Sequence, residues 1–135
     1  MSKKYTLKII TPDRELFEGE VSKAVVPTND GNIEIYANHT PITVITVPNK
    51  TEFVDEAGNK KILFTSSGVV TFNDGVLTFC CESGEWPEEI DIARAEEAKM
   101  RAENRIKDSS KFDEKRAKLA LSRALIRIDI KNNLW

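Results

Sequence analysis

The sequence predicts an α+β fold, with an antiparallel β-sandwich or flattened barrel followed by an antiparallel hairpin of two helices. Three observations support this prediction. Up to Glu82, short runs alternate apolar and polar residues with a period of two. Turn signals rich in asparagine, aspartate and glycine separate these runs. Residues 88–130 then contain neither glycine nor proline and are rich in alanine, glutamate, lysine and arginine, a helical composition.

The strands are predicted from runs of β-branched and aromatic residues. The first run alternates through Tyr5, Leu7 and Ile9, and further runs lie around 21–26, 33–35, 42–47, 53, 62–64, 69–72 and 76–79. Turn signals at 29–31, 57–59 and 73–75 supply residues that tolerate positive φ. Many short strands joined by such turns favour a sandwich or barrel.

Two adjacent cysteines, Cys80 and Cys81, end the last β-like run. Neighbouring strand residues point to opposite faces of a sheet, so one thiol should face the core and the other should not. A disulfide between adjacent strand residues would be strained, and both cysteines are expected to be free and structural.

The helices are predicted at about Asp91–Lys107 and about Phe112–Ile130, on either side of a break near Ser109–Ser110. Asp91 can cap the first helix, and Ser110 with Asp113 resembles a capping box for the second. The predicted domains are therefore a β domain over 1–86 and a helical hairpin over 87–135.

Each helix carries apolar stripes at helical spacing. The stripe of the first helix is mostly alanine and comprises Ile92, Ala95, Ala98, Ala102 and Ile106. The second helix has two opposite stripes, one of Ala117, Leu121, Ala124, Leu125 and Ile128 and another of Phe112, Leu119, Ile126 and Ile130. One helical partner covers only one stripe. The other stripe is expected to contact the β domain, another subunit, or each in turn.

Charge and motifs exclude several classes of function. The chain has 20 basic and 22 acidic residues, so its net charge of −2 provides no global basic field for nucleic acid. The longest apolar run, Ile42–Val47, is far shorter than the roughly 20 residues of a membrane span. The chain has one histidine, His39, and no glycine-rich phosphate loop. We therefore expect no catalytic residues, no metal site and no enzyme activity.

Two arginines spaced four apart, Arg123 and Arg127, lie on one face of the second predicted helix, and Arg116 continues that line. Stacked guanidinium groups can hold the phosphates of a nucleotide or the carboxylates of a partner. The alternative is a solvated basic stripe that pairs with glutamates such as Glu96, Glu97 or Glu103. The pattern alone leaves both possibilities open.

The order of these parts strongly resembles the epsilon-subunit family of bacterial and plastid F-type ATP synthases, which corresponds to the mitochondrial delta subunit. The resemblance covers nearly the whole chain. It depends on five segments taken together: Thr11-Pro12-Asp13-Arg14, Pro27-Thr28-Asn29-Asp30-Gly31, His39-Thr40-Pro41, Ser67-Gly68-Val69-Val70 and Ile90-Asp91-Ile92-Ala93-Arg94-Ala95.

The resemblance implies a ten-stranded antiparallel β-sandwich followed by the two-helix hairpin. It implies a non-catalytic rotor subunit of the central stalk in a proton- or sodium-translocating synthase, with the sandwich bound to the gamma subunit and the c-subunit ring. The hairpin would extend toward the alpha and beta subunits and inhibit ATP hydrolysis. Its implied location is peripheral, at the cytoplasmic face of the cell membrane or the stromal face of the plastid thylakoid.

Some members of this family bind ATP on the folded hairpin. The residues that match their ATP-binding motif are Glu85, Asp91, Arg94, Ala95, Arg123 and Arg127. The resemblance therefore implies ATP as a regulatory ligand, with Arg123 and Arg127 holding phosphates, and no required cofactor. A stand-alone ATP-sensing binding module is the alternative function.

Overall fold

The computed structural model describes residues 3–108 and 113–133. The chain divides into two compact units, positions 1–85 and 86–135. The first unit contains the β-strands, and the second contains two α-helices and one short 3₁₀ turn.

Nine strands form the β unit in the described part of the chain. They are β1 Tyr5–Ile10, β2 Glu15–Thr28, β3 Gly31–Tyr36, β4 Ile42–Thr46, β5 Asn49–Asp55, β6 Lys60–Thr65, β7 Gly68–Asn73, β8 Val76–Cys81 and β9 Gly84–Glu85. One run of paired strands is β1-β8-β7-β4, and the other is β2-β5-β6-β9 with β3 added to β2. The strand β2 belongs to both runs, because its first half pairs with β1 and its second half with β3 and β5.

The structure confirms a sandwich-like β domain followed by two helices and corrects two details. Nine strands are described instead of ten, because the 14 residues of β2 continue unbroken from one run of strands to the other. The pairing of β1 with β8 is parallel, whereas the sequence predicted antiparallel strands throughout. A tight turn forces antiparallel pairing only on consecutive strands, and β1 and β8 are far apart in the chain.

The inward face of the β unit forms an aromatic and aliphatic core. Phe53, Phe64 and Phe79 are among its fully buried side chains. The ring of Tyr5 meets that of Phe72 edge-on, with 5.4 Å between ring centroids. Burial of Tyr5 raises the pKa of its hydroxyl, which donates a hydrogen bond of 2.6 Å to the carbonyl oxygen of Ile35. The alternating pattern of the sequence therefore predicted the core face correctly.

The two cysteines are free and lie on opposite faces of β8, as predicted. Cys80 is exposed and Cys81 is buried. Burial, which disfavours the thiolate, raises the pKa of the Cys81 thiol to about 11. Cys81 is thus a packing residue, and Cys80 is available at the outer surface of the strand.

Gly68 is required where β7 begins. A methyl group at this position would contact the carbonyl oxygen of Cys80 and approach the Cα atom of Cys81 to 2.8 Å. Both are backbone atoms of the paired strand β8 and cannot rotate away. We expect Gly68→Ala to lower the free energy of unfolding by about 2 kcal/mol, measured by urea denaturation.

A matched control for this prediction is Gly58→Ala. Gly58 has a φ of +86°, and an added methyl group would meet nothing within 4 Å, so only the backbone conformation is penalised. Equal stability of Gly68→Ala and the native chain would show that β7 and β8 separate freely at this point, contrary to the expectation.

The helical unit contains the 3₁₀ turn Pro87–Glu89, α1 Ile92–Lys107 and α2 Glu114–Asn133. The Asp91 carboxylate accepts a hydrogen bond of 3.1 Å from the backbone N–H of Arg94, which confirms the predicted cap of α1. Asp113 accepts one of 3.3 Å from the N–H of Arg116 and caps α2 in the same way. The predicted capping residue Ser110, the break at Ser109–Ser110 and Phe112 lie outside the described residues.

The contact between the helices is made mainly of small side chains. Ala95 and Ala102 of α1 and Ala117 and Ala124 of α2 are all buried, which agrees with the predicted alanine stripes. Leu125 was predicted in the buried stripe of α2 but is 45 % exposed. A stripe of alanines brings two helices close together, and the width of that contact does not extend to Leu125.

The exposure of the second predicted apolar stripe of α2 decreases along the length of the helix. Leu119 is 48 % exposed and Ile126 is half-buried, whereas Ile130 is completely buried. Among the described residues of the helical unit, the large exposed apolar side chains are Met100, Leu119 and Leu125. The predicted second apolar face is therefore exposed at Leu119 but not at Ile130, which is buried.

Candidate functional site

The β unit has a row of apolar side chains on its outward surface. Ile45 of β4 pairs with Val69 of β7, Val69 pairs with Cys80 of β8, and Cys80 pairs with Ile10 of β1. We call these four residues the apolar row. Ile45 is 75 % exposed and Val69 is 43 % exposed. Exposed aliphatic side chains in adjacent register positions form one continuous apolar strip across four strands.

The next row on the same outward surface is polar. It joins Thr43, Thr71, Thr78 and Lys8 in the same order of strands. A shallow cavity of about 450 Å³ borders the apolar row at Ile10, Pro12, Gly68 and Cys80. The apolar character is thus confined to one end of this strand run, as expected for a localised contact surface.

The helical unit has a basic groove between its two helices. Four arginines line a cavity of about 540 Å³, two from each helix: Arg101, Arg105, Arg116 and Arg123. Ala98, Ala102, Ala117 and Ala120 also line it, and their short side chains leave the space that the arginines surround. We call this cavity the arginine groove.

The arginine groove has a strong excess of positive charge. Four guanidinium groups and one carboxylate, Asp113, line it, which gives a net charge of +3. The Asp113 carboxylate also caps α2. Within residues 3–108 and 113–133, no carboxylate lies at ion-pair distance from Arg101, Arg116 or Arg123. Such a groove can bind a multiply charged anion through charge-assisted hydrogen bonds.

The structure places the predicted ATP-binding residues in several positions. Arg123 is half-buried and lines the arginine groove, and Arg127 is half-buried one turn further along α2. Asp91 and Arg94 are exposed at the start of α1, and Ala95 is buried against the helix pair. Glu85 is the last residue of β9, in the β unit. Of the six, only Arg123 lines the groove.

Sequence reasoning did not select Arg101 and Arg105 as ligand-binding residues. They are spaced four apart on α1, as Arg123 and Arg127 are on α2, and this spacing was an available signal. From the sequence, Arg101 was considered only as one of several basic residues that could pair with Glu96-Glu97 on a solvated face. In the described residues neither glutamate forms an ion pair, which agrees with the solvated alternative.

Two other polar side chains, His39 and Glu89, make contacts within the fold. The Nδ1 atom of His39 lies 2.7 Å from the carbonyl oxygen of Thr40, and its ring meets Phe72 edge-on. The Glu89 carboxylate accepts a hydrogen bond of 2.8 Å from the backbone N–H of Trp86. In the described ranges, no three metal-ligating side chains cluster and no helix has the length and apolar content to cross a membrane.

Two family models match the chain and together cover most of it. The beta-sandwich domain of the ATP synthase delta/epsilon chain matches residues 4–87. The long alpha-helix domain of the same chain matches residues 88–132. The two matches meet within the 3₁₀ turn, close to the boundary between the two compact units.

Curated relatives match over nearly the full length. The ATP synthase epsilon chain of Clostridium novyi is 43 % identical over 130 residues, which are 96 % of this chain and 99 % of that one. The epsilon chain of Clostridium perfringens strain 13 is 49 % identical over 107 residues, covering 79 % and 80 % of the two chains.

Solved structures share the fold. A chain in the Euglena gracilis mitochondrial ATP synthase (OSCP/F1/c-ring) aligns with a TM-score of 0.70 and 23 % identity, covering 97 % of this chain and 79 % of that one. A chain in the Tetrahymena thermophila mitochondrial ATP synthase (central stalk/c-ring) aligns with a TM-score of 0.53 and 19 % identity, over 66 % and 71 %.

Proposed function

The chain belongs to the ATP synthase delta/epsilon chain family, and we propose that its two units divide two tasks within the central stalk. It is an epsilon chain, which is a non-catalytic subunit of an ATP synthase. The subunit is peripheral to the membrane. The β unit holds the gamma subunit and the c-subunit ring together. The helical unit restrains ATP hydrolysis when it extends toward the alpha and beta subunits, on the cytoplasmic face of the membrane.

The apolar row supports the first task. Ile45 is the most exposed large apolar side chain of the described residues, and it continues into Val69, Cys80 and Ile10 in direct register. A partner that covers this row removes apolar area from water without breaking any strand pairing, so the β unit can bind as a rigid body. We assign gamma as this partner, because the row lies on the β unit and a rotor contact must be permanent.

The alanine-rich contact between the helices supports the second task. Alanines contribute little buried apolar area, so separating α1 from α2 costs less than separating helices joined by leucines. Met100, Leu119 and Leu125 are already exposed and can pack against a new partner. A helix pair joined through alanines, with exposed leucines, can exchange one set of contacts for another.

The arginine groove supports control of that exchange by a nucleotide. A polyphosphate would neutralise guanidinium groups from both helices, Arg101 and Arg105 of α1 with Arg116 and Arg123 of α2. Because its contacts span both helices, the ligand would stabilise the folded hairpin relative to any state in which they separate. ATP thereby acts as a regulatory ligand that relieves inhibition. This assignment retains Arg123, one of the six residues that match the ATP-binding motif. It adds Arg101, Arg105 and Arg116.

A single substitution in the apolar row tests the docking assignment. We expect Ile45→Glu to weaken binding of the chain to isolated gamma by about tenfold, because a buried glutamate in this contact would lose its hydration without a counter-charge. Binding would be measured by surface plasmon resonance against immobilised gamma.

The matched control is Ala57→Glu, which introduces the same side chain in an exposed turn. Unchanged binding by Ile45→Glu, or equal weakening by both variants, would remove the apolar row from the gamma contact. The hairpin's regulatory role would be unaffected by that result.

A further inference from the structure

The C-terminal end of α2 is tied to the segment that precedes α1. The Nζ atom of Lys131 donates a partly buried hydrogen bond of 3.1 Å to the carbonyl oxygen of Pro87. The two residues are 44 positions apart in the chain and belong to the same compact unit. We call this contact the Lys131–Pro87 clasp.

The same carbonyl oxygen also holds the 3₁₀ turn. It accepts a hydrogen bond of 3.2 Å from the backbone N–H of Ile90, which ends that turn. A carbonyl oxygen has two lone pairs and can accept both donors. The Glu89 carboxylate fixes the other end of the turn through the N–H of Trp86. One backbone atom thus joins the turn to the last residues of α2.

Hydrophobic burial accompanies the clasp. Ile130, next to Lys131, is completely buried, and Ile90 is 3 % exposed. Further back along α2, Leu119 and Leu125 are almost half exposed. The end of α2 is therefore better secured by large apolar side chains than its middle, and a charged donor secures it further. A bond from an ammonium group is stronger than one between neutral partners.

We propose that the Lys131–Pro87 clasp sets the frequency with which the end of α2 leaves the junction, and that Lys131 is thereby a positioning residue for the regulatory hairpin. This inference depends on the proposed function for its biological meaning, but not for its physical test. Lys131 lies one turn beyond Arg127, and Pro87 precedes Asp91 by four residues. Release of the clasp would free both ends of the helical unit together.

Hydrogen exchange on the full chain tests the clasp. In Lys131→Met, the backbone amides of the last turn of α2 and those of Glu89 and Ile90 are expected to exchange about fivefold to tenfold faster, because one charge-assisted bond is lost. The matched control is Lys118→Met, which removes the same charge from an exposed position of the same helix, where it pairs with Glu114 at 3.3 Å.

The two groups of amides distinguish the clasp from a general charge effect. A lysine in the last turn also stabilises its own helix through the dipole. Loss of that effect alone would accelerate exchange in α2 and leave Glu89 and Ile90 unchanged, and this result would overturn the proposal. Unchanged exchange at both places would overturn it as well. We expect faster exchange at both places in Lys131→Met and at neither place in Lys118→Met.

The outcome for the clasp is separable from that for the proposed function. In the assembled complex, Lys131→Met is expected to lower ATP hydrolysis, because the hairpin extends more often. Faster exchange without any change in hydrolysis would keep the clasp and contradict the regulatory role of the hairpin. Unchanged exchange, with hydrolysis still sensitive to removal of the hairpin, would contradict the clasp alone.

Discussion

Replacing Arg101 and Arg123 together by alanine is expected to weaken ATP binding to the full chain by at least about a hundredfold. Each guanidinium that bonds a phosphate contributes roughly 1.5 to 3 kcal/mol, and about 1.4 kcal/mol corresponds to a tenfold change in affinity. The two arginines lie on different helices and line the same groove. Their loss therefore removes one of the two groove-lining arginines from each helix.

Isothermal titration with ATP measures this effect. The matched control replaces Lys115 and Lys118 by alanine, which removes the same net charge from exposed positions of α2 that do not line the groove. Comparable weakening by both double variants would indicate long-range charge attraction in place of a site. Native-like affinity of the arginine variant, or no binding of ATP by the native chain at millimolar concentration, would contradict the nucleotide assignment.

The types of element and the caps of the helices were predictable because they depend on local sequence. Period-two alternation fixed the core face of the strands, with Tyr5, Leu7 and Ile9 all buried as expected. Asp91 was recognised as a cap because a short acceptor before an alanine-rich run satisfies the first free N–H groups of a helix. Neither inference needed knowledge of distant contacts.

The pairing of strands was less predictable because it depends on residues far apart in the chain. The apolar row joins Ile45, Val69, Cys80 and Ile10, which come from four separate runs. Each residue fits its own strand pattern, but only the register places them side by side. The parallel pairing of β1 with β8 has the same origin, since the turns along the chain do not determine it.

Only the α2 side of the arginine groove could be predicted from the sequence. Arg123 and Arg116 were recognised as one line on α2, whereas Arg101 was not selected as a ligand-binding residue. Local spacing on one helix cannot show that the other helix brings its own arginines to the same cavity. The relative rotation of α1 and α2, set by the alanine contact, decides this.

Removal of residues 88–135 is expected to abolish inhibition of ATP hydrolysis by the subunit, while leaving the β unit bound to gamma. The boundary between the two compact units lies between positions 85 and 86, so the truncation removes no residue of the nine strands. If the hairpin occupies its inhibitory position in about four-fifths of complexes at low ATP, its removal would raise hydrolysis about fivefold. Loss of gamma binding on truncation would contradict the division of tasks between the units.

The most direct test of the account is the ratio of hydrolysis rates between complexes with the truncated and the full-length chain, measured from low to high ATP. A ligand-stabilised folded hairpin predicts a ratio of several-fold at low ATP that falls toward one as ATP fills the arginine groove, and that stays high at every concentration when Arg101 and Arg123 are alanine. A ratio of one across the whole range would contradict the claim that the hairpin restrains hydrolysis.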